Sequence, residues 1–275
     1  VHRFEFEAFT SPCELHIDVS DVSAANALAR AVFENAKRLE HRYSFFRNDS
    51  EIYTLNERTC AHHLLSDELS GLIRLAIFYA DTTKGAFDIA LSGTLKHLSN
   101  LSSYNEFCRQ KDKLISFASC SHLILEGNRL TFTNEYTKID LGGLVKEYAV
   151  DQSIFILQSS GVTSALVNFG GDIAAMGEYE NSSWKIGIQD PENFDRNLIE
   201  VELNDASLCT SGHSKRYAMI EDEKISHIVA SEKSSKHYSQ VSIIAPTTVD
   251  AGVWSTALLN DPHIVLPEHL KVFTV

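Results

Sequence analysis

Near residue 20 the hydrophobic pattern of this chain changes period, and that change limits the possible folds more than any other feature. "VHRFEFEAFTSPCELHIDV" alternates apolar and polar positions around a turn at Ser11-Pro12, the signature of two paired strands. "DVSAANALARAVFENAKRLE" follows at once, with Val22, Ala25, Leu28, Ala29, Val32, Phe33, Ala36 and Leu39 at the three-and-four spacing of one helical face. Ser20 or Asp21 can cap this helix by accepting an otherwise unpaired backbone N–H.

The rest of the chain repeats this alternation. "DELSGLIRLAIFYADTT" predicts a helix with Leu69, Leu72, Ile73, Ala76 and Tyr79 on its inner side, stopping before Lys84-Gly85. "SHLILEGNRLTFTN" predicts a hairpin turning at Gly127-Asn128. "IDLGGLVKEYAVDQ" opens a helix that runs to about Ser160 and closes at Gly161; "TSALVNF" then forms a buried strand leading into Gly170-Gly171-Asp172. "WKIGIQD", "LIEVEL", "KRYAMIED", "KISHIVAS" and "QVSIIAP" read as short strands, "DAGVWSTALLN" as a helix and "KVFTV" as a closing strand. The expected class is α+β, a mixed, largely antiparallel sheet with packed helices. Without an internal repeat or a linker, residues 1–275 are expected to form one continuous domain.

Charge narrows the partners. A formal net charge of −13 repels nucleic-acid backbones and anionic membranes, so an anionic substrate needs a local cluster of donors. Cys13, Cys60, Cys108, Cys120 and Cys209 are scattered and never form a C-x-x-C pair, which points to reduced thiols rather than a zinc site or disulfide framework. No apolar run is long enough to span a membrane. The expected compartment is the cytoplasm, with a periplasmic or membrane-anchored location as the alternative where a leader precedes Val1.

Six segments carry residues suited to chemistry. In "IDLGGLVKEYAVDQ" the glycines and Lys146 stand where unpaired N–H groups give a helix start a partial positive charge. That is either a tight turn or a cradle for a phosphate or pyrophosphate. Asp140 repels phosphate and needs another partner, such as a ring N–H or a sugar hydroxyl. "CTSGHSKRY" offers Thr210, Ser211 and Gly212 as an anion-binding turn, with Lys215 and Arg216 as charges or as solvated strand residues. "ISHIVAS" sets His227 in an apolar strand, structural unless something outside the segment singles it out. "IAPTTVDAGVWSTALLN" places Asp250, Ser255 and Thr256 at a helix start, as oxygen ligands for magnesium or as caps. "YSFFRNDSEIYTLN" and "KGAFDIALSG" hold Tyr43, Phe45, Phe46 and Phe87, which stack on a flat ring or fill a core.

Taken in order, "YSFFRNDSEIYTLN", "GAFDIA", "IDLGGLVKEYAVD", "ALVNFGGDIAAMG", "WKIGIQDP", "TSGHSKRY", "SHIV" and "IAPTTVDAGVWSTALL" resemble the successive blocks of the ApbE-like FAD:protein FMN transferases, from about Tyr43 to Leu259. The resemblance implies an α+β enzyme that binds FAD with magnesium, splits the pyrophosphate and passes FMN to a threonine or serine hydroxyl of an acceptor flavoprotein. The alternatives are a relative that holds FAD without transfer, and a pyrophosphatase that releases FMN and AMP. The resemblance makes Asp140 and Lys146, with Thr210, Ser211 and Gly212, the FAD contacts and Tyr43 the flavin contact. It makes the Gly143 carbonyl and Thr256 metal ligands, and His227 the base. Tyr43 stands where the family usually has a flavin-contacting methionine, and the chain departs from the family pattern in three further places. Gly252 stands where an aspartate precedes the threonine by four residues, Glu147 where a glycine follows the lysine, and Ala230-Ser231 where Asp-Pro follows the histidine strand. Asp250 is the expected substitute for the missing ligand.

Overall fold

The structure is a computed structural model and describes residues 1–193, 195–213, 217–221, 223–226 and 238–275. The elements run β1 (His2–Ala8), β2 (Ser11–Ile17), α1 (Val22–Tyr43), α2 (Glu51–Glu57), β3 (His63–Leu64), α3 (Asp67–Thr82), α4 (Ile89–Leu95) and α5 (Tyr104–Leu114). They continue as β4 (Leu123–Glu126), β5 (Arg129–Phe132), α6 (Val145–Ser159), β6 (Ala165–Phe169), β7 (Asp172–Met176), β8 (Trp184–Gln189), β9 (Asn197–Leu203) and β10 (Ala206–Gly212). The last are β11 (Tyr217–Ile220), β12 (Glu223–Ser226), β13 (Gln240–Ala245), α7 (Thr248–Asn260) and β14 (Lys271–Thr274).

A 7-stranded sheet in the order β1-β2-β6-β7-β10-β13-β14 organises the molecule. Every pairing in it is antiparallel. Strand alternation sends Ala165, Val167 and Phe169 of β6 to one face, into the main core with α1, α6 and α7. Leu166 points the other way, where Trp184, Ile188, Val201 and Leu203 of the β8–β9 hairpin cover Ile173, Leu208 and Ile244. Both faces of the central strands are buried, so these segments read as apolar runs rather than as clean alternation. The α+β expectation holds.

Local chemistry fixes the helix ends. Asp21 accepts the Ser23 N–H at 2.8 Å, the cap expected at the start of α1. Gly85, with φ +83°, donates to the Ala80 carbonyl and stops the chain after α3; Gly161 has the same φ after α6. Asp151 on α6 accepts the Thr248 and Val249 N–H groups at 2.7 and 3.0 Å, so a carboxylate of one helix caps the N-terminus of the other. This bond sets α6 against α7.

A smaller core stands apart. Leu91, Leu95, Leu98, Phe107, Ala118 and Ile220 join α4, α5 and β11. The aromatic-rich segment "KGAFDIALSG" enters α4 behind an Asp88 cap that accepts the Ala90 and Leu91 N–H groups. One expectation is corrected outright. Thr210, Ser211 and Gly212 are not a turn but the end of β10, paired with Ser242, Val241 and Gln240 of β13. The alternation of β10 with its neighbour overrides the turn propensity of Ser and Gly.

Candidate active site

The Asp140–Lys146 turn is held by side chains that come from elsewhere in the chain. The amide of Asn56 pairs both ways with the Ile139 backbone, donating to its carbonyl at 2.8 Å and accepting its N–H at 2.9 Å. Thr94 Oγ1 accepts the Lys138 N–H at 2.9 Å. Gly93 is the contact point: a Cβ there would fall 2.5 Å from the Ile139 carbonyl carbon, so only glycine lets α4 pack on this backbone. The Asp140 carboxylate turns inward, taking the Gly142 N–H on Oδ1 at 2.9 Å and the Lys96 ammonium on Oδ2 at 2.7 Å. Leu141 accepts from both Leu144 and Val145, and Leu144 accepts from Tyr148; these bonds skip the Gly143 carbonyl.

Lys146 leaves this turn for the core. Its ammonium pairs with Asp172, at the start of β7, and lies 3.5 Å from the Phe169 carbonyl oxygen. Burial alone would lower its pKa, but the charges of Asp172 and Glu147 outweigh burial and hold it above the ordinary lysine value. Glu147 is the opposite case. Burial, with Asp172 close by, pushes its carboxyl up to about 8, and its Oε2 has no hydrogen-bond partner. Buried Cys209 is raised for the same reasons and stays a thiol.

From Glu147 the network crosses to α7. The position of a Cβ on Gly252 is 2.6 Å from Glu147 Cγ, so the glutamate stem occupies the notch that Gly252 leaves. Gly252 O accepts from Ser255 Oγ at 3.0 Å, and Ser255 Oγ meets Ser211 Oγ at 2.8 Å. Ser211 Oγ is also 3.1 Å from Thr256 Oγ1. Thr210 sits outside this chain of hydroxyls, bonded to Ser242 at 2.8 Å. The structure therefore joins Lys146, Ser211 and Thr256 in one connected set, with Asp140 and Gly143 on the turn above it.

Two expected residues lie elsewhere. Tyr43, at 1% exposure, is in the main core, and its hydroxyl donates to Glu68. It follows Leu39 on the buried stripe of α1, so the helical period that buries the stripe buries it too. The aromatic left open in that segment is Phe46, 74% exposed, with the Lys96 ammonium 5.5 Å from its ring centre. Asp250 is turned away from Thr256. Its oxygens accept from Tyr79 and pair with His269, and about 9 Å of helix rise separates it from the threonine. His227 lies outside the described residues, as do Lys215, Arg216 and Ala230-Ser231.

The model of the ApbE family matches residues 9–263. The chain belongs to the ApbE family. A relative in Treponema pallidum, an FAD:protein FMN transferase, is 27% identical over 84% of this chain and 70% of its own length. The enzyme of that name in Vibrio cholerae is 25% identical over 78% of this chain and 66% of its own length. The ApbE protein of Thermotoga maritima has the same fold, with a TM-score of 0.87 at 22% identity over 100% of this chain and 94% of that one. The Vibrio cholerae flavin transferase ApbE superposes with a TM-score of 0.80 at 18% identity over 99% of this chain and 97% of its own. The family, the fold and the transferase class expected from the resemblance all hold.

For an ApbE-family chain, the residues that sequence reasoning missed are those supporting the turn. Lys96, Asn56 and Thr94 come from distant segments with no motif of their own, and only the fold brings them to Asp140. Asp172 was visible as the end of Gly170-Gly171-Asp172, but its pairing with Lys146 was not. Among the described residues, no group of three or more His, Cys, Asp or Glu side chains is gathered as for a metal ion. Nor is any helix among them long and apolar enough to cross a membrane.

Proposed function

We propose that this chain is an FAD:protein FMN transferase that requires magnesium. The bond between the FMN phosphorus and the bridging oxygen of FAD breaks, and AMP leaves with that oxygen. A new bond joins the phosphorus to a threonine or serine hydroxyl oxygen of an acceptor flavoprotein. The hydroxyl proton passes to a base, the role the resemblance gives to His227, whose unperturbed pKa near 6.5 suits proton transfer near neutrality.

The observation that carries this reading is the convergence of the Asp140–Lys146 turn with the Ser211–Thr256 hydroxyls, in a chain matched to the family from residue 9 to 263. Phosphoryl-type transfer needs positioning and charge neutralisation more than covalent help from the protein. Asp140, Gly142 and Gly143 shape the turn that receives the dinucleotide, and Lys96, bonded to Asp140, carries its ammonium 5.5 Å from the ring centre of Phe46. Phe46, rather than the buried Tyr43, is the side chain placed to meet a flavin ring.

The donor set fits magnesium. The two ammonium groups, Lys96 and Lys146, are each paired with a carboxylate, Asp140 and Asp172. Among the described residues, the site thus has no surplus positive charge to offer a pyrophosphate. Magnesium supplies that charge when bound; it takes about six oxygens and keeps some water, so a carbonyl, a hydroxyl and one carboxylate suffice beside the substrate's own oxygens.

The test is to incubate the protein with FAD, magnesium and an acceptor flavoprotein, then to weigh the acceptor and separate the flavins. A covalent FMN adduct with equimolar AMP is expected, lost on His227→Ala. Free FMN and AMP without an adduct would make the protein a pyrophosphatase. FAD retained intact would make it a flavin-binding protein.

A further inference from the structure

We infer that Glu147 is the acidic ligand of the catalytic divalent cation, delivered from α6 through the notch at Gly252 rather than from α7. The inference rests on the magnesium-dependent reading above. Three observations carry it. First, Glu147 is 7% exposed and its Oε2 is buried without a hydrogen-bond partner, a state that ordinarily costs a carboxylate dearly. A cation resolves that cost directly. Second, the glutamate stem fills the space in front of Gly252, where a Cβ would fall 2.6 Å from Cγ and 3.4 Å from Oε1. A side chain on α7 and the Glu147 side chain cannot both occupy this space. Third, helix geometry brings the other donors to the same place. Gly252 and Thr256 are i,i+4 neighbours on one face of α7, and Gly143 is one turn before Glu147 at the head of α6. The Gly143 carbonyl, like that of Gly142, accepts none of the turn's backbone bonds.

The competing carboxylate, Asp250, is committed elsewhere. Its oxygens are held by Tyr79 at 3.1 Å and His269 at 2.8 Å, on a different side of the helix from Thr256. Asp172 is committed to Lys146. Glu147 is therefore the acid in this network with an oxygen to spare. Asp151, which caps α7 from α6, fixes the helix register that places it there.

The experiment measures Mn²⁺ binding by loss of the free-ion EPR signal, with ADP present as an unreactive pyrophosphate and the loss scored beyond that of ADP and Mn²⁺ alone, so the readout does not depend on turnover. Glu147→Gln keeps the shape and removes the charge, and is expected to weaken Mn²⁺ binding by about tenfold or more. Gly252→Asp alone forces a clash and is expected to destabilise the fold. The double variant Glu147→Gly with Gly252→Asp moves the carboxylate onto α7, and is expected to recover both folding and Mn²⁺ binding relative to either single change. Asp250→Ala is expected to bind Mn²⁺ like the parent. Unchanged affinity in Glu147→Gln, loss of binding in Asp250→Ala, or no Mn²⁺ binding by the parent would each overturn the assignment. Acceptor flavinylation is scored separately. Parent protein that binds Mn²⁺ through Glu147 yet never forms an adduct sinks the transfer reading and leaves this one standing.

Discussion

Lys146 enters the core as a cation because two carboxyl groups wait for it there. The pair it forms with Asp172 is nearly sealed, with 13% and 6% of the two side chains exposed. A buried ion pair contributes little net stability against an apolar substitute of the same shape, but removing one partner strands the other. In Lys146→Met the stranded group is Asp172, with Glu147 beside it and no cation between them. The expected cost is about 3–5 kcal/mol, read as a lower urea midpoint with an unchanged slope. A cost below about 1 kcal/mol would mean that water or a relaxed backbone already solvates Asp172, and that the pair is not the pivot of the site. The same reasoning shows why the sequence could nominate Lys146 and not its role. "DLGGLVK" places a charge one turn into a helix, where an ammonium facing a phosphate and an ammonium facing an internal carboxylate have identical local patterns.

At the level of elements, legibility followed period and length. The helices α1 and α3 are long, one-sided and capped, and α6 is long and closed by Gly161, so their residues announce them; the β4–β5 hairpin does so through Gly127-Asn128. The helix α4 was missed because it is short, spans Ile89–Leu95 and is buried on nearly all sides, which erases the polar face a helical period needs. Thr-Ser-Gly satisfies turn chemistry, so the hydroxyls of β10 read as a turn in the sequence, and only pairing with β13 shows otherwise. Yet α4 is the element that positions the Asp140 turn, through Gly93 and Thr94. Gly93→Ala sets two effects against each other. Alanine favours a helix over glycine by about 1 kcal/mol, but here its methyl would sit 2.5 Å from the Ile139 carbonyl carbon and the Lys138 carbonyl oxygen. Those are backbone atoms and cannot swing aside, so overpacking at about 1–3 kcal/mol wins. The variant is expected to lose stability in chemical denaturation and to bind FAD more weakly, because the displaced segment carries Asp140. A more stable Gly93→Ala protein would show that α4 is free to shift.

Across the whole molecule, buried titratable groups pull stability in opposite directions with pH. Glu147 is raised by burial and by Asp172 to about 8, and Asp151 is raised by burial against its two backbone bonds. A carboxyl whose folded pKa exceeds its unfolded value near 4.5 binds more protons in the fold, so its contribution falls as pH rises through that interval. His63 and His97 are lowered, first by burial and then by Arg58 and Lys138 respectively. They stay neutral in the fold, and stability falls as pH drops below about 6.5, where the unfolded chain takes up their protons. Below pH 6.5 the two sets partly cancel. Between about 7 and 8 the histidines are mostly neutral in both states, and the raised Glu147 carboxyl acts almost alone. Metal-free protein in EDTA is therefore expected to lose about 1 kcal/mol per pH unit across that window. Glu147→Gln, which cannot ionise, should flatten most of that decline and be the more stable protein at pH 8. Saturating Mn²⁺ should flatten it in the parent by taking the place of the proton. Urea titrations at pH 6.5, 7.2 and 8.0 on parent and variant decide the matter. Equal slopes for the two proteins would show that the ionisation of Glu147 is not what the fold resists.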